Sequence, residues 1–137
     1  MERDATPKNL MLELTGLVAS DIRPSRTSPG RFDYPFQLSA VPDGRWGQAF
    51  RRAYEGLVAA GKRPARLVGA QIIATVNADD DKRRVVEVIR QAMRQANAEC
   101  QEMWASSVRK AESKKQAERD DDELLRRLQD EAREVLV

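Results

Sequence analysis

The chain of 137 residues has no histidine and one cysteine, Cys100. Without histidine, the usual general base near neutral pH and the commonest zinc ligand are both missing. A single cysteine cannot close a disulfide within the chain, so a disulfide-stapled scaffold is excluded. Aromatic residues make up only 5% of the sequence and charged residues 34%, which leaves apolar material for one modest core rather than two. No apolar run reaches the ~18–20 residues that a membrane span needs. The start, Met1-Glu2-Arg3-Asp4, lacks the basic-then-apolar layout of a secretory signal. Neither glycine nor proline occurs after Gly69, so nothing in the second half of the chain forces a helix to stop. These absences predict a soluble, cytoplasmic protein of one domain, with no metal and no cofactor.

What is present is charge, unevenly placed. Residues 1–78 hold 11 Lys+Arg against 7 Asp+Glu, a net of +4, and residues 79–137 hold 13 against 15, a net of −2. Arginine supplies 18 of the 24 basic residues. Its planar fork suits carboxylate or phosphate, although an arginine-rich, lysine-poor composition also fits a bacterial or phage source of high genomic GC.

Hydrophobic periodicity sets out the elements. Leu10, Leu12 and Leu14 alternate with Met11 and Glu13 as in a half-buried strand, with Leu17 and Val18 as an extension. Two prolines and a glycine between Asp21 and Gly30 predict a mobile basic loop carrying Arg23, Arg26 and Arg31 at its end. Phe32, Tyr34, Phe36, Leu38 and Ala40 alternate in a second strand, where Pro35 points to an edge or bulge. Asp43 can cap a helix whose apolar stripe is Trp46, Ala49, Phe50, Ala53, Tyr54 and Leu57, with Gly61 and Pro64 as its stop. A third strand spans 66–76. From Lys82 onward, Val86, Ile89, Met93, Ala96, Cys100 and Met103 recur at steps of three and four, the seam of a helix that needs a partner surface. That stripe fades through 107–121 and returns at Leu124, Leu128 and Val135.

The expected architecture is α+β: a small three-stranded sheet in β-β-α-β-α order with helices on one face, and a parallel crossover if the second and third strands run together. A flexible start (1–9) precedes a compact unit (10–104) and an extended helical tail (105–137). The tail is expected to be continuous, with 119–122 as the place for a break, where Asp120 and Glu123 have capping-box spacing.

Few constellations point to chemistry. Gly56 to Lys62 matches the first part of a phosphate-binding loop, yet Arg63 stands where Ser or Thr must hold magnesium, and the stretch closes a helix instead of opening one. Asp79, Asp80 and Asp81 suit a divalent cation by donor type, but adjacent side chains diverge, so helix capping is the expected role and a metal-dependent enzyme the lesser alternative. Cys100 lies in the apolar seam with no histidine to activate it. Phe32, Tyr34 and Phe36 fit a buried sheet face more simply than a stacking platform for RNA.

The sequence thus predicts a non-enzymatic interaction or oligomerisation subunit of a larger bacterial or phage assembly. Its contacts would come from Trp104, Val108, Leu124, Leu125, Leu128, Ala132, Val135 and Leu136, and its partner would be itself or another protein. The alternative is a nucleic-acid-binding accessory protein whose phosphate contacts are Arg23, Arg26, Arg31, Lys62, Arg63 and Arg66.

Overall fold

The computed structural model describes residues 5–135. A 3-10 turn (Lys8–Leu10) leads to β1 (Leu14–Leu17), β2 (Arg23–Pro24), β3 (Arg31–Leu38), α1 (Gly44–Gly56), β4 (Ala65–Val68), β5 (Gln71–Asn77) and α2 (Lys82–Val135). The first four residues of the expected flexible start, and Leu136 of the expected contact set, lie outside the described residues.

The class is α+β, but the sheet differs from the expected three strands. Among the described residues it has five, all pairing antiparallel, in the order β1-β3-β5-β4 with β2 beside β3. The link through α1 joins β3 to β4, which run in the same direction because each pairs antiparallel with β5; it is thus a crossover between parallel strands, with β5 inserted between them and paired to β3 from Arg31 against Asn77 to Gln37 against Gln71. Two local causes account for the extra strands. First, the single strand expected over 66–76 is a hairpin: Gly69, at a φ of 57°, opens a two-residue loop, and Val68 pairs with Gln71. A positive φ at the first loop position is what a tight hairpin of this kind requires. The turn also changes which residues share a face, so Leu67 lies opposite Ile72 and Val68 is left exposed. Second, the proline-rich loop does pair briefly, Arg23 with Asp33 and Pro24 with Phe32. β1 and β2 thus share one edge of β3 and leave a gap at Tyr34–Pro35, where the proline has no N–H to donate.

The first strand begins later than its leucines suggest. Leu10 and Leu12 are sealed in the core, yet they precede β1. Leu12 finds its backbone partner in a side chain instead of a strand. The amide of Asn97 on α2 accepts from the Leu12 N–H and donates to the Leu12 carbonyl, both at 2.9 Å.

One face of the sheet carries the core. Phe36 and Leu38 of β3 and Ile72, Ala74 and Val76 of β5 are buried with Trp46, Ala49, Phe50 and Tyr54 of α1. The three aromatic rings of α1 stack along the helix, Trp46 on Phe50 at 5.3 Å and Phe50 on Tyr54 at 5.7 Å between centroids. Asp43 caps this helix by accepting from the Arg45 N–H at 2.8 Å, and the Arg45 side chain bonded to it holds its carboxyl below the ordinary value. From α2 the buried residues are Val85, Val88, Ile89, Ala92, Met93, Ala96 and Cys100, a stripe wider than the expected seam, with Val86 half-buried and Met103 exposed.

The turn between α1 and β4 lies hard against the start of α2. Gly61 has a φ of 88°, and a Cβ there would sit 2.9 Å from the Arg84 Cβ, so only glycine fits this approach.

Candidate interaction surface

α2 runs unbroken through 119–122 for 54 residues, about 81 Å at ~1.5 Å per residue. Alanine and the long polar residues that fill its outer part are good helix formers. Its inner part is held by the sheet and α1. The last fully buried residue is Cys100, whose thiol burial pushes up, away from a reactive thiolate. Trp104 is half-buried and packs on the edge of the core, and its Nε1 is shielded from water without an acceptor among the described residues. Val108 is half-buried as well, whereas every described residue from Arg109 to Val135 is exposed.

Within that bare stretch the apolar residues return on one side. Leu124, Leu125 and Leu128 are 49%, 55% and 52% exposed, and Val135 more so. Ala132 shares their spacing. Fully burying a leucine is worth ~1.5–3 kcal/mol, so each of these half-open side chains has roughly 1 kcal/mol still to gain from a covering surface. The polar contacts of this stretch stay within the helix: Arg109 with Glu102 at 3.2 Å, Gln116 with Asp120 at 3.0 Å, and Arg133 with Asp130 at 3.5 Å. Pairs of this kind are exposed and contribute little each.

The arginines expected to act together are divided by the fold. Strand alternation turns Arg66 of β4 to the sheet face away from the helices. There it lines a cleft of about 980 Å³ with Arg23, Arg26, Asp21 and Asp33. Asp33 accepts from the Thr75 hydroxyl at 2.8 Å, and one of its oxygens lies 3.5 Å from the Arg66 guanidinium. Arg31 begins β3 outside this lining. Lys62 and Arg63 are engaged elsewhere. The Lys62 ammonium donates to the carbonyls of Glu55 and Leu57 and sits 5.5 Å over the Tyr54 ring. Arg63 makes two 2.8 Å hydrogen bonds to Asp80.

That second pairing also places the aspartate run. Asp80 accepts from the Asn77 N–H at 2.8 Å, and Asp81 from the Arg83 N–H at 3.1 Å, while Asp79 is exposed. The Arg63 guanidinium, followed by the Asn77 amide, holds the Asp80 carboxyl far below the usual carboxylate range. These carboxylates close turns and start a helix; they do not converge on a common point. Among the described residues no three His, Cys, Asp or Glu side chains are grouped to hold a metal ion.

One polar residue escaped the sequence reading. Besides serving Leu12, Asn97 Oδ1 accepts from the Trp46 indole N–H at 2.8 Å, so one amide joins the N-terminal segment, α1 and α2. Its signal was faint: an asparagine placed one turn after Met93 in an otherwise apolar stripe.

Compared with protein-family models, curated proteins and solved structures, the chain matches none. No helix among the described residues is long and apolar enough to cross a membrane.

Proposed function

We propose that the chain is a non-enzymatic interaction subunit of a larger bacterial or phage assembly, acting in the cytoplasm through the outer part of α2. The observation that supports this most directly is the half-open cluster of Leu124, Leu125 and Leu128 on a stretch of helix against which nothing among the described residues packs. Isolated helices in water are marginal, and most helical stability in proteins comes from burying an apolar face. A bare helix with leucines on one side gains both order and free energy when another polypeptide covers them. Ala132 and Val135 extend this surface toward the tip, and Trp104 and Val108 are further candidate contacts nearer the core. Light scattering on the purified chain tests the reading. The particle mass is expected to exceed the 15.5 kDa of one chain and to fall when Leu124→Asp and Leu128→Asp are combined, with the sheet and α1 still folded; a mass untouched by the pair of substitutions counts against it.

A second reading has one observation in its favour. Arg23, Arg26 and Arg66 gather around a single cleft, where their charge suits the phosphate groups of a nucleic acid. Asp21 and Asp33 share that cleft, and Lys62 and Arg63 are already bonded within the chain, which reduces the cationic surface from the one the sequence offered. Binding that weakens steeply with salt, by a slope of ~0.9 per phosphate contacted, supports this reading, and no binding to mixed RNA and DNA at low salt removes it.

A further inference from the structure

Tyr34, at the gap that β1 and β2 leave along β3, lines a cleft of about 570 Å³ between β1, β3 and the first turns of α2. The floor of this cleft is apolar. Leu14, Leu17, Tyr34, Phe36 and Val86 contribute to it; Phe36 is buried, Leu14, Tyr34 and Val86 are half-buried, and Leu17 is 38% exposed. They belong to the edge of the core and stay partly open because β1 ends at Leu17 and no strand among the described residues pairs beside Tyr34 on that side. The rim is cationic. Lys82, Arg83 and Arg90 of α2 share it with one carboxylate, Glu87, and Glu87 is already paired at 2.9 Å with Arg94, which lies outside this lining. Among the described residues the side chains of Arg83 and Arg90 make no ion pair and no hydrogen bond. They are two helical turns apart, about 10 Å at ~1.5 Å per residue, so both long side chains stand on one side of the helix and reach the same stretch of rim.

We propose that this cleft binds a free, single-chain amphiphile with an anionic head, of the fatty-acid class. The chain lies on Leu14, Leu17, Tyr34 and Val86, and Arg83 and Arg90 hold the carboxylate. Size and apolar floor suit a small molecule, since clefts of ~300–1,000 Å³ are the usual seats of such ligands. The two unpaired guanidiniums then choose among greasy molecules, because a guanidinium fork takes a carboxylate through two parallel hydrogen bonds. An added peptide strand fits this edge less well. β1 is four residues long and its pairing shifts register between Leu14 and Gly16, so it offers no continuous row of free backbone groups to a new strand. An acyl chain needs none. The site lies at the opposite end of α2 from the bare leucines, and its occupancy is independent of whether the outer helix docks.

Calorimetric titration of the full chain with decanoate, kept below the concentration at which it forms micelles, tests the site. Saturable binding is expected, with the methyl NMR signals of Leu14, Leu17 and Val86 displaced. Octanoate should bind more weakly by roughly two- to fourfold for each methylene removed, the mark of a chain on an apolar floor. Arg83→Gln combined with Arg90→Gln should weaken decanoate roughly tenfold or more and leave decanol, which has the chain without the charge, within about twofold. Both side chains are exposed and unpaired, so the variant keeps its fold, and the retained decanol binding shows that it has. Leu17→Asp should weaken both ligands, whereas Leu124→Asp with Leu128→Asp should change neither. Absence of saturable decanoate binding overturns the proposal, as does equal affinity for decylammonium, whose head has the opposite charge. Loss of binding in the paired tail variant moves the amphiphile to the outer helix and overturns the cleft as its site. Binding to phosphatidylglycerol vesicles with none to dissolved decanoate overturns the free chain as ligand in favour of a membrane surface.

Discussion

The inner and outer parts of α2 are one continuous helix held by different forces. From Val85 to Cys100 seven residues are buried against the sheet and α1, and Asn97 adds three hydrogen bonds across the interface. From Arg109 outward, among the described residues, the helix has only its own propensity and a few exposed side-chain pairs. Length and regularity of a helix therefore say little about what stabilises it: burial sets the inner part, and composition alone the outer.

Substitutions can sharpen or break this contrast, the largest effect lying in the core. Trp46→Ala removes the stacked, fully buried ring in the first turn of α1 and should cost ~3–5 kcal/mol in denaturant unfolding. Asn97→Ala strands the Leu12 N–H, the Leu12 carbonyl and the Trp46 indole N–H; at ~1–3 kcal/mol for a buried group left unpaired, a loss of a few kcal/mol in the same measurement is expected. A loss under about 0.5 kcal/mol would show that water replaces the amide. Asp80→Asn acts through pH. Because its folded-state carboxyl lies below the unfolded value of ~3.9, the ionised group stabilises the fold at neutral pH, and that contribution is lost as pH falls below about 4. The variant should melt a few degrees lower at neutral pH and lose less stability than the native chain on acidification; parallel melting curves down to pH 3 would refute this. The smallest effect falls on the outer helix. Leu124→Asp with Leu128→Asp should change the unfolding free energy of the core by less than about 0.5 kcal/mol, since neither side chain touches it. A larger change would place the tail's leucines in the core's own stability and erase the distinction between the two parts.

How far the sequence spoke depended on whether local pattern and burial coincided. α1 was legible because Trp46, Ala49, Phe50 and Tyr54 repeat at helical spacing and are the residues the core takes up. The inner part of α2 was legible for the same reason, although Val85, Val88 and Ala92 widen its stripe. The hairpin at Gly69 was not, because a two-residue loop needs only one permissive backbone position and leaves the run of apolar residues on both sides looking continuous. The short β2 was hidden by the prolines of its loop, which argue against pairing even where two register pairs form, Arg23 with Asp33 and Pro24 with Phe32. Among the candidate contact residues, closeness along the chain misled. Lys62, Arg63 and Arg66 read as one cluster, yet Asp80 takes Arg63, backbone carbonyls take Lys62, and the alternation of β4 carries Arg66 to the far side of the sheet beside Arg23 and Arg26.

The bond between Leu12 and Asn97 spans 85 positions of the chain. During synthesis the leucines at 10 and 12 leave the ribosome long before the amide that seats them has been made, and closing so large a loop is slow compared with forming α1 or the β4–β5 hairpin. Until the middle of α2 emerges the Leu12 backbone lacks the amide that seats it, and the segment is held only by its partners on the early chain, Asn9 accepting from the Asp43 N–H and Glu13 from the Ser39 N–H, both at 2.9 Å.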